Sequence, residues 1–193
     1  MALFGFKEWK MVCDVIGRGE QSLILRKGGI SEGKLGFQWL HDAFFLFPTH
    51  FHGQVAQLRP GSVEEDEPLP DREPDVVSIR LFAEIVETRL LTDLDAALAL
   101  EPLHVWNREV VEERFHWGDA PGLSLAVIRA WRLASPWELP QRASFGGCRS
   151  WLGLPTAEGL PPDWRETMTP VLPKARVREV RDAIRALTGS ALS

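Results

Sequence analysis

The stretch from Leu123 to Leu133, LSLAVIRAWRL, constrains the fold more than any other part of the chain. Leu123, Leu125, Val127, Trp131 and Leu133 fall on one side of an extended backbone, with Arg129 the exception there. A period of two sets an apolar face against a core, so the pattern predicts a β-strand. A strand needs hydrogen-bonding neighbours, and the sequence offers several. Residues 21–27 read as a strand that the Gly28-Gly29 pair breaks. Asp42 to His52, DAFFLFPTHFH, reads as a second, largely buried strand, with Pro48 placing its end near a sheet edge or a bulge. Ile79, Leu81, Ala83 and Ile85 alternate with Arg80, Phe82, Glu84 and Val86, which suits a strand although a helix also accommodates the run. Gly146 to Leu154 holds another short strand.

Helical spacing lies between and beyond these segments. Phe6, Trp9, Val12, Cys13 and Ile16 recur at helical intervals, and Gly17 and Gly19 supply the stop. Cys13 sits on that apolar stripe, which assigns it to packing. Thr92 is placed to cap a short helix through Leu100, ended by Pro102, and Asn107 to cap REVVEERF. After Pro170 and Pro173, Val177, Val180, Ile184 and Leu187 form a stripe that Gly189 closes. Its other faces carry Lys174, Arg176, Arg178, Arg181 and Arg185 against Glu179 and Asp182. With no internal repeat, strands scattered among short helices predict an α+β fold. Its sheet is expected to be curved, mixed and partly closed, with short flanking helices. Residues 1–165 form one such domain, and 170–189 a basic amphipathic C-terminal helix.

Charge is unevenly placed. Net charge is −5, yet Pro60 to Asp75, PGSVEEDEPLPDREPD, holds seven acids and one arginine, which leaves the rest of the chain near +1. Like charges and prolines bury little, so 60–75 reads as a solvated, mobile insertion. Two cysteines are too few for a disulfide framework or a Cys-rich zinc site. Apolar runs fall short of the roughly 18 residues that span a bilayer, and MALFGFKEWK lacks a signal-peptide pattern. The expectation is a cytoplasmic protein without a membrane partner.

The candidate sites follow from chemistry. The segment LRKGGISEG lacks the order of a phosphate-binding P-loop, and GxGxxG and GxSxG are both missing. What remains is a strand ending in Arg26-Lys27-Gly28-Gly29: two cations for a phosphate backbone and two glycines that permit close approach. Trp106, Arg114, Trp117, Arg149 and Trp151 fall in polar segments where exposure is expected. Indoles stack on bases and guanidinium groups hold phosphates. His41, His50 and His52 are weak candidates for a metal, because zinc needs three or four converging ligands. Glu8-Trp9-Lys10 imitates half of a nuclease ExK motif, but it sits on the expected first helix with no acid upstream. Cys148 beside Arg149 is a further, weaker nucleophile candidate. No catalytic residue and no cofactor is assigned.

FKEWK (6–10), SLILRKGGI (22–30), FFLFPT (44–49) with His52, HVW (104–106), RFHW (114–117) and GCRSW (147–151) together resemble an uncharacterised bacterial family, the domain of unknown function 1802. These pieces span roughly residues 3–155. The resemblance implies no established activity. Some members are joined to a restriction-type nuclease domain, which implies work beside DNA restriction, defence or repair, with a nuclease as partner. A looser likeness, a helix leading into a strand that ends in Arg-Lys, is similar to PUA-like domains and their ASCH and EVE branches. There a pseudo-barrel binds RNA or modified bases. The leading expectation is a non-catalytic nucleic-acid-binding module for DNA or RNA, recognising a modified or flipped base. A metal-dependent hydrolase or nuclease, and a protein-interaction subunit, stand as alternatives.

Overall fold

The computed structural model describes residues 2–27, 37–50, 53, 55–62, 74–118, 120–155 and 159–189. Gly28 and Gly29, His52, and most of the acidic loop (63–73) therefore lie outside the described residues. The fold is α+β, built on one curved mixed sheet. Strand β1 (Leu3–Trp9) runs straight into helix α1 (Lys10–Arg18), then β2 (Leu23–Arg26) and β3 (Ala43–Thr49). β4 (Val76–Leu91) precedes α2 (Leu94–Leu98) and α3 (Arg108–His116), and β5 (Leu123–Pro140) follows. β6 (Trp151–Leu154), α4 (Trp164–Thr167), β7 (Thr169–Pro170) and α5 (Lys174–Thr188) complete it.

The spatial order is β2-β5-β4-β3-β1-β6, with β7 paired to β5 off that path. β1 and β3 are parallel, and every other pairing is antiparallel. Two long strands form the spine: β4 and β5 pair from Val76↔Pro140 to Leu91↔Leu123. The register shifts between Ile79 and Leu81 and again between Ile85 and Glu87. Such irregularities bend a sheet and raise its twist. The expected strand at Leu123 thus exists and runs on through Pro136 to Pro140.

The opening differs from the expectation. Phe6 and Trp9 belong to a strand, and the helix starts only at Lys10. Phe4, Phe6 and Glu8 alternate on β1, and this period of two prevails because β3 and β6 hydrogen-bond it on both sides. The helical stop is as expected: Gly19 adopts φ 81°, and its N–H donates to Ile16 O at 3.0 Å. Asp93, not Thr92, caps α2, its side chain accepting from Asp95 N. Asn107 caps α3 as expected, accepting from Val110 N at 2.9 Å. Pro48 lies past Leu46, the last residue of β3 that pairs with β4, so its missing N–H interrupts no ladder there.

Two apolar clusters sandwich the sheet. Phe6, Ile24, Phe44, Leu46, Leu125 and Val127 pack with α1, α3 and α5. Phe45, Phe47, Ile79, Phe82, Trp131 and Trp137 pack with Trp164 of α4 on the other side. β3 feeds both by alternation, which explains its unbroken apolar run. β5 feeds both too: Leu125 and Val127 join the first cluster, Trp131 and Leu133 the second. Val177 and Ile184 of α5 are buried in the first cluster, and Arg185 binds Glu87 of β4 at 2.6 Å. The C-terminal helix is part of the same core. No helix among the described residues is long and apolar enough to cross a membrane.

Replacing Asn107 with Ala removes the α3 cap and a 3.0 Å bond from its Nδ2 to Ala56 O. A loss of about 1 kcal/mol is expected, read as a lower denaturation midpoint at unchanged slope.

Candidate nucleic-acid interface

β1 and β2 are not neighbours in the sheet, yet Arg26 at the end of β2 reaches β1. It donates to Lys7 O, lies 3.3 Å from Glu8 Oε2, and sits over the Phe6 ring at 4.8 Å. Glu8 is only 1% exposed, and its Oε1 accepts from its neighbour's Trp9 N at 2.8 Å. A carboxylate so buried requires a cation, and Arg26 supplies it. Curvature has brought the β2 edge back against β1, and a side chain rather than a ladder bridges the seam.

α3 adds a second guanidinium. Arg114 lies 3.8 Å from the Trp106 ring centroid and 5.4 Å from that of Trp9. Burial above all, then the nearby Arg26 charge, lowers its pKa to about 10 against the opposing pull of Glu8 and Glu113. No carboxylate or carbonyl among the described residues accepts a hydrogen bond from it. Lys27 closes the end of α3, donating to Phe115 O at 3.3 Å and to Ala120 O, and burial lowers its pKa. Arg26 thus pairs with the buried Glu8 carboxylate, Arg114 lies near both, and Lys27 follows Arg26 in sequence and anchors to the end of α3.

Aromatic rings line the same end of the sheet. Trp151 packs on Phe6 at 4.9 Å and on Phe44 at 5.2 Å, and donates from Nε1 to Gln38 O at 3.0 Å. Trp39 stacks on Phe6 at 5.6 Å, and its Nε1 is buried without a hydrogen-bond partner. Arg26, Lys27, Arg114, Trp106 and Trp151 are therefore gathered at one seam. The exposure expected of Trp106 is corrected: it is 1% exposed, because Trp9 packs on it at 4.7 Å and Arg114 covers its other contact. It holds Arg114 in place and offers no ring to a ligand. Trp117, at the end of α3, is 51% exposed, and Arg149 is exposed in the turn before β6. Lys7 ties that turn to β1 through Gly147 O at 2.9 Å and Ser150 O at 2.8 Å.

His41 and His50 do not converge, and His52 lies outside the described residues. His41 and His50 flank opposite ends of β3, which spans seven residues, so they stand roughly 25 Å apart. His41 stacks on Phe4 at 3.5 Å, and burial lowers its pKa. Among the described residues no group of three His, Cys, Asp or Glu side chains is arranged to hold a metal. Glu8 lies on β1 rather than on a helix, and its charge is committed to Arg26. Cys13 is buried, which raises its thiol pKa, while Cys148 is exposed.

Glu8, Trp9 and Trp39 are the residues that sequence reasoning did not assign. One signal for Glu8 was present: an acid in phase with Phe4 and Phe6 on an apolar face must find a cation in the fold.

The family model described as a domain of unknown function, DUF1802, matches residues 5–183. The chain is a DUF1802 protein. The match runs beyond the 3–155 of the resembling strings, taking in the acidic loop and most of α5. Among solved structures, ASCH from Zymomonas mobilis and a point mutant of it are similar to the DUF1802 chain. The mutant is 12% identical with a TM-score of 0.47, covering 79% of this chain and 88% of its own. The unmutated protein is 12% identical at a TM-score of 0.46, covering 79% and 87%. No curated protein matches.

Two further outcomes follow for this DUF1802 chain. Arg26→Ala strands the Glu8 carboxylate in the interior, with an expected cost of about 3–5 kcal/mol in urea denaturation, whereas Glu8→Leu with Arg26→Met recovers most of it. His104, 2% exposed with neither ring nitrogen hydrogen-bonded, has its pKa lowered to about 4, by burial first and then by Arg59 and Arg114. The unfolded chain takes up this proton near pH 6.5 while the folded one refuses it. Stability should therefore be full above about pH 6.5 and fall by about 3 kcal/mol as the pH drops to about 4. His104→Leu should flatten that part of the curve.

Proposed function

We propose that the protein is a non-catalytic nucleic-acid-binding module whose binding surface is the β1–β2 seam. One observation carries this reading. Arg26 pairs with the buried Glu8 carboxylate, Arg114 lies close to both with Glu113 as its other nearby acid, Lys27 follows Arg26 in sequence, and the Arg114 donors have no hydrogen-bond acceptor among the described residues. Excess positive charge with uncommitted donors suits a phosphate, since charge-assisted hydrogen bonds strengthen as water is excluded. Trp117 and the half-buried Trp151 offer ring faces to an unpaired or flipped base, and exposed Arg149 a further phosphate contact. Gly28 and Gly29 adjoin this surface in sequence and are assigned to close approach.

The near-neutral body favours a single strand or an extruded base over long duplex tracts, whose binding draws on many phosphate contacts. The family resemblance sets this activity beside DNA restriction, defence or repair, with any cutting done by a nuclease partner. The interaction-subunit alternative is weakened at α5. Arg176 pairs with Glu179 at 2.7 Å, Arg181 with Asp182 at 2.7 Å and Arg185 with Glu87, so much of its basic face is already neutralised.

Because Arg26 also holds the fold, the informative variants are Trp117→Ala and Arg149→Ala. Fluorescence anisotropy with labelled single-stranded DNA, RNA and duplex at two salt concentrations is the measurement. Each variant is expected to weaken single-strand binding by about 1–3 kcal/mol at unchanged melting temperature, and only Arg149→Ala to lower the salt slope. Wild-type protein that binds none of the three would end the proposal.

A further inference from the structure

A groove of about 800 Å³ is bordered by Lys10, Cys13, Asp14 and Gly17 of α1, within the size range of ligand-binding clefts. Its origin is topological. The β3–β4 ladder ends at Leu46↔Leu81, beside the register shift between Ile79 and Leu81, and the two strands then diverge. Leu46, Pro48 and His50 line one wall, residues 76–78 with Arg80 and Leu81 the other, and α1 and residues 132–134 of β5 with Pro136 the ends. The floor is aliphatic: Leu46, Val77 and Leu81 are all buried.

Four cations lie at the rim: Lys10, Arg18, Arg80 and Arg132. Facing them are Asp14, which pairs with Lys10 at 2.7 Å, Glu20, which pairs with Arg18 at 2.9 Å, and Glu138, which accepts from Ser78 at 2.8 Å. Arg132 donates to Gly17 O at the end of α1. Arg80 is exposed and makes no ion pair or hydrogen bond with another described residue. The lining contains no phenylalanine or tryptophan. Cations over an aliphatic floor, with the His50 imidazole the one aromatic ring in the lining, suit a sugar-phosphate backbone better than a run of stacked bases. The groove also adjoins the seam. Glu8 turns its carboxylate to Arg26, while its carbonyl accepts from Thr49 Oγ1 at 3.2 Å and from Cys13 Sγ at 3.9 Å, and Cys13 lines the groove.

We propose that this groove is a second, sequence-independent subsite that carries the backbone of a single strand onward from the seam, with Arg80 as its phosphate contact. The inference rests on the nucleic-acid reading above and adds a ligand class to it: a single strand several nucleotides long. Seam and groove bind consecutive parts of one strand, and a short oligonucleotide fills the seam alone.

The test measures anisotropy of labelled oligothymidylates, a trinucleotide and a dodecamer, with the full chain. Arg80→Glu is compared with Arg176→Glu, a charge reversal on α5, and the melting temperature of each is checked. Wild type is expected to bind the dodecamer more tightly than the trinucleotide. Arg80→Glu should cost about tenfold on the dodecamer, lower its logarithmic salt slope by about 0.7, and leave the trinucleotide unchanged. Arg176→Glu should change neither. If Arg80→Glu lowers the melting temperature, Arg80→Ala is read in its place against the same criteria. Equal effects of the Arg80 and Arg176 variants on the dodecamer overturn the groove proposal, while retained trinucleotide binding keeps the seam reading. Failure of wild type to bind either oligonucleotide overturns both.

Discussion

A side chain ties one edge of this sheet to an interior strand. The sheet runs from β2 at one edge to β6 at the other, and no backbone ladder joins β2 to β1. Arg26 spans that gap to Lys7 O and to the Glu8 carboxylate, over the Phe6 ring. Backbone pairing is not on offer there, because β1 is already hydrogen-bonded by β3 and β6. The side-chain contact leaves a polar opening lined with charge, while the bend of the sheet comes with the register shifts in the β4–β5 ladder. A buried charge pair is seldom the most stabilising option, since desolvation offsets its attraction, but breaking it is costly. Arg114 lies beside it, held over the Trp106 and Trp9 rings, with Glu8 and Glu113 as the nearby acids.

Period-two patterns were the legible part of the fold. The alternation at Leu123–Leu133, the apolar run in DAFFLFPT and the alternation from Ile79 all became strands, and the Asn107 cap fell where its chemistry places it. The first strand was obscured by coincidence. Phe6 and Trp9 lie three apart, as on a helix, and the helix they point into does begin one residue later. Local spacing could not reveal that β3 and β6 flank residues 3–9, because those partners are roughly 40 and 150 residues away. The long reach of β5 through Pro136 and Pro140 was likewise invisible, since prolines ordinarily argue against a strand.

For the site, the residue types were legible and their exposure was not. Arg26, Lys27, Arg114 and Trp151 are assembled, but Trp106 lies under Arg114 as its platform. Tryptophan beside arginine has the same signature in sequence whether the pair faces a base or the core. Only the packing of Trp9 on Trp106 distinguishes the two. The histidines failed for a plainer reason: an extended strand separates His41 from His50.

The way β1 is paired bears on how the protein comes off the ribosome. Its two neighbours are residues 43–49 and 151–154, and the core beneath it is completed by α5 at 174–188. Residues 3–9 must wait for residues 151–154 and 174–188, a sequence separation that slows folding through the entropy of closing so large a loop. During that wait the Phe-rich β3 has only part of its cover, and transiently exposed apolar strands of this kind favour aggregation.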